Sequence, residues 1–301
     1  MAEVVIFSGN SNLDLANNIA NTLQLNLGNA PIKYFSDGEI AINILSNVSH
    51  KDVFIVQSTS PPVNNHLIEL LLMADVIYQA APKSITAVMP YFGYARHNLS
   101  AQAIAKLLIA VGIQRIITID LHNERITKFF TIPITNIYSY SVILENINQQ
   151  QQAKLIIVAP DLGAVGRAKA IAQQLSSDVV IMHKQRAKQY ISKIINTSCS
   201  IQGRDCLIID DIIDTAGTIC AATQELINQG ANSVYAYCTH AILSANAIAR
   251  IEQSNLTKLI ITNSIALSSQ AANSKKIQQL TVTAILATAI NSINQAAPIA
   301  I

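Results

Sequence analysis

No apolar run in this chain reaches membrane-spanning length, although hydrophobic residues make up 50% of it. The apolar stretches are short and broken by Asp, Asn, Gln or Gly. Net charge is also scarce. A formal value of +2 gives no footing for a nucleic-acid surface. The cysteines Cys199, Cys206, Cys220 and Cys238 lack the spacing of a metal site. Cys206 and Cys238 sit in strand-like runs, so free buried thiols in a reducing compartment are expected. Met1 to Phe7 is too short and too acidic for a signal peptide and reads as a first strand. These absences predict a soluble, cytoplasmic protein that engages neither membrane nor nucleic acid. At 301 residues the chain is long enough for a large core and two domains.

What is present is an alternation of short apolar strands and longer helical patterns. Strands are expected at Glu3 to Ser8, Ile32 to Phe35, Ala41 to Leu45, Val53 to Gln57, Ile85 to Met89 and Arg115 to Ile119. Helices are expected near Asn12 to Gln24, Asn65 to Ala80 and Ala101 to Val111. The pattern restarts at Leu155 to Ala159, with a helix over Val165 to Leu175 and strands at Val179 to His183, Cys206 to Ile209, Ser233 to Cys238 and Leu259 to Thr262. Ala187 to Gly203 is polar and irregular, with possible hairpin character, and Leu280 to Gln295 is a last amphipathic helix. Two such runs imply two α/β domains of parallel sheets covered by helices on both faces. The boundary is expected in the Asn/Gln-rich stretch Tyr138 to Gln152.

Ligands of open α/β sheets bind beyond the C-terminal strand ends, and polar residues gather there. The strongest group is Arg204 to Thr218. A buried strand ends in Asp210 and Asp211, and Asp214 opens a turn of Thr215, Ala216, Gly217 and Thr218 before a helix. Amides at such a loop and helix end suit a phosphate, while carboxylates accept hydrogen bonds from sugar hydroxyls. The group thus fits a phosphorylated sugar; its bland alternative is an acidic strand end capping a helix.

The other strand ends carry weaker signals. His122 beside Asp120, and Asp161 at another strand end, are candidate ligands for Mg²⁺, which takes few protein groups and completes its shell with substrate phosphates. Lys184 and Arg186 share one face of a strand and could aim at a polyphosphate, or be two solvated cations. Asp37 and Glu39 flank Gly38 and could be plain turn residues. Phe35 could stack on a base or belong to the core, and Arg96 could hold a phosphate or stack on an adenine.

Taken together these stretches resemble the ribose-phosphate pyrophosphokinase (phosphoribosyl pyrophosphate synthetase) family. The resemblance rests on FSGNSNLDLANNIA, FSDGEI, DVFIVQSTSPPVN, ITAVMPYFGYAR, TIDLH, VAPDLGAVGRAKAIA, HKQR, RDCLIIDDIIDTAGTI and LTVTAILATAI, spread over nearly the whole chain. DDIIDTAGT alone points to the wider phosphoribosyltransferase fold, whereas FSDGE, PYFGYAR and PDLG in this order point to the synthetases. The resemblance implies two similar phosphoribosyltransferase-like domains, each a mostly parallel sheet flanked by helices. Their expected bounds are 1–140, joined by a C-terminal helix in 280–301, for the ATP side, and 141–279 for the ribose 5-phosphate side.

The resemblance also implies roles. Asp214, Thr215, Ala216, Gly217 and Thr218 would hold ribose 5-phosphate, with Asp210 and Asp211 near its hydroxyls and the metal. His122 and Asp161 would help bind Mg²⁺, and Lys184 and Arg186 would stabilise the transferring diphosphoryl group. Phe35, Asp37, Glu39 and Arg96 would form the ATP site, partly supplied by a neighbouring subunit of a homo-oligomer whose dimers assemble to a hexamer. After Arg96 the chain departs from the family: it continues His97-Asn98-Leu99-Ser100, and several residues that normally supply cations near ATP are missing. His97 is left as a candidate nucleotide contact. Ser49 and Ala81 stand where regulated members carry an Arg and a Ser, so phosphate and ADP regulation is expected to be weak or absent. An active synthetase is the expected function. The alternatives are a weak homologue acting as a partner or regulatory subunit, and an ordinary phosphoribosyltransferase.

Overall fold

A computed structural model describes residues 3–149, 155–184, 192–197 and 199–295. The chain divides into two compact units, Met1–Tyr138 with Ser264–Ala266 and Val282–Ile301, and Ser139–Asn263 with Leu267–Thr281.

The first unit contains β1 (Val4–Ser8), α1 (Leu13–Thr22), β2 (Ile32–Tyr34), β3 (Ile40–Ile42), β4 (Asp52–Val56), α2 (Val63–Gln79), β5 (Ser84–Met89), α3 (Asn98–Ala110), β6 (Arg115–Ile119) and β7 (Ile134–Ile137). Five strands form a parallel sheet in the order β1-β4-β5-β6-β7, while β2 and β3 pair as a separate antiparallel hairpin. Successive strand residues face opposite sides. Val53 and Ile55 therefore join the core under α2 and α3, while Phe54 and Val56 join the core under α1 and the C-terminal helix Thr283–Asn294. Phe54, Ile6 and Leu15 are completely buried, each worth about 2 kcal/mol of transfer free energy.

The second unit contains α4 (Tyr140–Gln149), β8 (Ile156–Ala159), α5 (Val165–Leu175), β9 (Asp178–Lys184), β10 (Ser192–Thr197), β11 (Asp205–Ile213), α6 (Gly217–Asn228), β12 (Ser233–Ala241), α7 (Ala247–Gln253), β13 (Lys258–Thr262), α8 (Ser269–Ala272) and β14 (Ile277–Leu280). Its sheet runs β10-β9-β8-β11-β12-β13-β14, parallel except for β10 against β9. Cys206 and Ile208 pack toward α6 and α7, and Leu207 and Ile209 toward α4 and α5. Strand order reverses between β8 and β11. This is the topological switch point where open α/β sheets leave a crevice for ligands.

Several element limits differ from expectation. α4 occupies most of the stretch where the Asn/Gln-rich sequence suggested only a boundary, and β7, which was not expected, ends just before it. Ile143 and Ile147 supply the apolar face that α4 buries among otherwise polar residues. α3 begins at Asn98 rather than Ala101. β14 closes the second sheet just before the C-terminal helix, which itself starts at Thr283 rather than Leu280. The strand expected to stop at Ile209 continues to Ile213, because β12 keeps pairing with it as far as Ile213↔Ala241.

Candidate active site

In the second unit, Asp210 and Asp211 thus lie within β11, and the turn 214–216 links that strand to α6. Ala216 is left-handed at φ 59° and precedes Gly217, the first helical residue. A left-handed residue followed by a helical one turns successive amides toward one concavity, a nest for an anion. No side chain caps α6, so its first amides are left to a ligand or solvent. An alanine in this conformation costs about 1 kcal/mol, and neighbouring contacts hold it there. The Arg250 guanidinium donates to the Thr215 carbonyl and the Ser244 hydroxyl to the Asp214 carboxylate. The Ser244 amide bonds the Asp214 carbonyl at 3.0 Å. In a trans peptide, carbonyl and N–H point opposite ways. Fixing the Thr215 carbonyl on Arg250 therefore turns the Ala216 amide away from that guanidinium.

The switch point gathers three carboxylates. Asp161 follows β8, and its Oδ1 accepts the Gly163 and Ala164 amides at 2.9 and 3.1 Å. Asp211 is buried and pairs with Arg167 of α5 at 2.5 Å. Burial first, then the charge of Asp211 and more weakly of Asp161, holds the Asp210 carboxyl well above the ordinary carboxylate range; Arg167 opposes this. Burial also raises the Cys238 thiol beside this pair, with Asp210 and Asp211 adding to it, which keeps it un-ionised and unreactive. Lys184 is the last residue of β9, and Arg186 lies outside the described residues.

In the first unit, Phe35 to Glu39 forms the tip of the β2–β3 hairpin. The Phe35 amide donates to the Glu39 carbonyl at 2.8 Å and the Gly38 amide to the Phe35 carbonyl at 3.0 Å. Gly38 has φ +94°, a conformation that suits glycine. Asp37 shapes the turn by accepting the Glu39 amide at 3.1 Å. Phe35 is 58% exposed and therefore no part of the core. A groove of about 330 Å³ runs between the tip and α2, lined by Gly38, Glu39, Ile40, Asn64, Asn65, Ile68 and Leu72.

The aromatic turn after β5 closes against the Ser58–Thr59 loop. The Thr59 amide bonds the Tyr91 carbonyl at 3.0 Å, and Thr59 Oγ1 accepts the Gly93 amide at 2.6 Å. A Cβ on Gly93 would fall 2.4 Å from the Thr59 carbonyl oxygen, which explains the glycine. Arg96 and His97 are exposed, and α3 starts at the very next residue. The connection into α3 thus ends in two exposed side chains. Asn123 Nδ2 bonds Asn98 Oδ1 at 3.0 Å, tying this connection to the loop after β6 that carries the exposed His122. Among the described residues no three His, Cys, Asp or Glu side chains form a cage for a metal.

The structure therefore brings Asp161, Asp210 and Asp211 together in one unit, and joins Arg96 and His97 to the His122 loop in the other. Sequence reasoning missed Arg167, Ser244 and Arg250. Arg167 did leave a signal: a cation in the first turn of a helix opposes the helix dipole and so requires an anionic partner. Ser244 and Arg250 follow the next strand, and nothing in the linear pattern points back to the loop they hold.

The chain is similar along its length to known proteins. Residues 4–115 match the family pattern for the N-terminal domain of ribose phosphate pyrophosphokinase. Residues 191–300 match that of the phosphoribosyl synthetase-associated domain. The ribose-phosphate pyrophosphokinase of Neisseria meningitidis is 42% identical over 300 residues, covering 97% of this chain and 92% of that protein. The Vibrio cholerae protein of the same name is 43% identical over 304 residues, covering 98% and 97%. The crystal structure of phosphoribosylpyrophosphate synthetase from Mycobacterium smegmatis superposes with a TM-score of 0.91 at 28% identity, covering 98% of this chain and 99% of that one. With a left-handed turn at the switch point of one α/β unit, an exposed hairpin on the other and relatives matched over both, the chain belongs to the ribose-phosphate pyrophosphokinase family.

Proposed function

We propose that this chain transfers the β,γ-diphosphoryl group of ATP to the anomeric hydroxyl of ribose 5-phosphate. The products are 5-phosphoribosyl 1-diphosphate and AMP. The nest at Ala216–Gly217 alone would suit an ordinary phosphoribosyltransferase. The observation that supports the synthetase reading is the first α/β unit with its exposed Phe35–Glu39 hairpin, matched together with the second along full-length relatives.

Asp214 to Thr218 take the 5-phosphate and Asp210 and Asp211 face the ribose hydroxyls. Phe35, Asp37, Glu39, Arg96 and His97 hold the nucleotide. The anomeric oxygen attacks the β-phosphorus in line, its proton passes to solvent, and the bond from that phosphorus to the AMP oxygen breaks. Such a transfer depends on positioning and charge neutralisation rather than covalent help. Lys184 and Arg186 stabilise the charge on the moving group.

The donor set fits Mg²⁺. Asp161, Asp210 and Asp211 lie together at the switch point, Arg167 pairs with Asp211, and burial, then the charges of Asp211 and Asp161, raises the Asp210 carboxyl, a crowding of negative charge that a cation would relieve. His122 and Asp161 are the proposed ligands; with Oδ1 of Asp161 on two amides, its role falls to Oδ2. Bound there, Mg²⁺ would neutralise the polyphosphate. A homo-oligomer built from dimers up to a hexamer is proposed, in which the exposed hairpin serves a site shared with a neighbour. The free cysteines support a cytoplasmic setting. Among the described residues no helix is long and apolar enough to cross a membrane.

The test is incubation of the chain with Mg-ATP and ribose 5-phosphate, with AMP and phosphoribosyl pyrophosphate measured together. Equal amounts of both are expected. Absence of product with ribose 5-phosphate still bound would favour the weak partner subunit, which the two-residue connection before α3 otherwise supports. Lys184→Ala should lower kcat by about 10²–10³-fold and leave ribose 5-phosphate affinity unchanged.

A further inference from the structure

Glu69 on α2 is a completely buried carboxylate that the proposed chemistry does not use. Its Oε2 accepts the Asn10 amide at 3.0 Å and Gln57 Nε2 at 2.7 Å. Its Oε1 accepts Asn10 Nδ2 at 2.8 Å and the phenolic hydroxyl of Tyr34. A buried charge is tolerable only when donors satisfy it in this way. Three of the four donors come from Asn10 and Gln57, just beyond the ends of the paired strands β1 and β4. Gln57 is itself fixed, accepting the Ser11 amide at 3.1 Å and donating to the His66 carbonyl at 3.1 Å. Gly9 permits this approach, since a Cβ there would fall 2.3 Å from Gln57 Oε1. The Gly9-Asn10 part of the first motif thus builds a socket around Glu69.

The fourth donor is of another kind. Tyr34 is the last residue of β2, adjacent to Phe35, and is 46% exposed. A two-stranded hairpin outside a sheet is marginal by itself, and β2 and β3 have three residues each. Ile32, Ile40 and Ile42 pack on the core at the base of the hairpin. At the tip end, Tyr34 reaches down to Glu69, with the Asn10 and Asn65 side chains bonding its oxygen. Burial and Glu69 raise the Tyr34 hydroxyl above its ordinary pKa, so it stays a donor at neutral pH.

We propose that Tyr34 and Glu69 form a clasp that positions the Phe35–Glu39 hairpin for the nucleotide, making both positioning residues of the ATP site. This rests on the assignment of that hairpin to ATP. The clasp acts by limiting the fraction of time the tip is displaced. Its loss therefore weakens nucleotide binding and leaves the sugar-phosphate loop untouched.

Tyr34→Phe removes the hydroxyl alone and keeps the half-exposed ring. Losing a hydrogen bond to a buried carboxylate should raise the KM for ATP about tenfold, with the KM for ribose 5-phosphate unchanged. Amide exchange at Phe35 and Gly38 should quicken by a similar factor, while Ile55 and Val88 in the central strands keep wild-type rates. Unchanged exchange at Phe35 and Gly38 would overturn the clasp. A uniform quickening through the first unit, with both KM values rising together, would reduce it to a stability contact and also overturn it. Quickened exchange at the tip with an unchanged KM for ATP would instead break the assignment of the hairpin to ATP, and the positioning role with it. Exchange needs no turnover, so it decides the clasp even in a chain that makes no product.

Discussion

The loop proposed for the sugar phosphate and the hairpin proposed for the nucleotide are built in opposite ways. The loop stands at the switch point of a seven-stranded sheet, between β8 and β11, where the topology itself opens a crevice. Arg250 of α7 and Ser244 before that helix each hold a piece of it, and Arg167 of α5 pairs with Asp211 of the strand that leads into it. The first unit has strand order β1-β4-β5-β6-β7 with no reversal, hence no such crevice. The residues proposed to hold the nucleotide stand instead on a hairpin outside the sheet and on a two-residue connection before α3. On the proposed assignment, the difference means that the acceptor sugar meets a site made in advance by the fold and the nucleotide one held by a few local contacts. Substitutions that weaken the first should show in stability and sugar affinity; those that weaken the second should show in ATP affinity alone.

The sharpest way to break this contrast is Arg167→Met. It leaves Asp211, 4% exposed at its side chain, without the guanidinium that pairs it. Removing one partner of a buried pair costs about 3–5 kcal/mol, read in urea unfolding of the chain without ligands. A loss below 1 kcal/mol would mean that the switch point is solvated rather than built in advance.

Arg250→Met should act next most strongly. It frees the Thr215 carbonyl and allows the peptide before Ala216 to turn. Loss of one charge-assisted hydrogen bond predicts a rise in the KM for ribose 5-phosphate of about tenfold, with the KM for ATP unchanged. Steady-state kinetics with each substrate varied in turn would check it. Movement of both constants together would erase the distinction between the two regions.

Asp210→Asn sharpens the electrostatic side. The folded state raises the Asp210 carboxyl above its ordinary value of 3.8, so it binds this proton more tightly than the unfolded chain does. That contribution to stability is full below the ordinary value and is lost as pH rises through the folded one. An amide is neutral throughout. The variant without ligands should therefore melt higher than the wild type near pH 7, and the two should converge below about pH 4. A variant that melts lower at pH 7 would show that the charge of Asp210 is compensated in the free protein.

The smallest effect concerns regulation. The Ala81 carbonyl accepts the amide of His50, next to Ser49, at 3.0 Å. The nearby cations are committed: Lys51 to Glu3 at 2.6 Å and Lys83 to Asp52 at 2.8 Å. Titration with inorganic phosphate should leave activity unstimulated, and ADP should inhibit only by competing with ATP. Strong activation by phosphate would place a regulatory anion site here.

Most of the strand and helix pattern was legible, because each sheet is covered on both faces and its strands stand out as short apolar runs. Where legibility failed, tertiary pairing had overridden local composition. β11 runs past Asp210 and Asp211 only because β12 continues beside it. α4 is a helix despite its Asn and Gln content because Ile143 and Ile147 find a core. The candidate site was legible wherever chemistry was compressed into a few neighbours, as in Asp210 to Thr218. It was illegible where support came from far along the chain. Glu69 sits amid an apolar helix pattern, and only the structure reveals that Asn10, Tyr34 and Gln57 converge on it.

The sequence by itself determined the kind of protein: strands that must be buried on both faces, a Thr/Gly turn after an acidic strand end, and the run of family motifs along the chain. These are local matters, fixed by side-chain periodicity and by what a few adjacent residues can bond. The tertiary structure alone decided which carboxylates share a site, which cation compensates them and what holds each ligand loop in place. Those depend on strand order and on contacts between residues far apart in the chain, which a linear pattern does not encode until the backbone has folded.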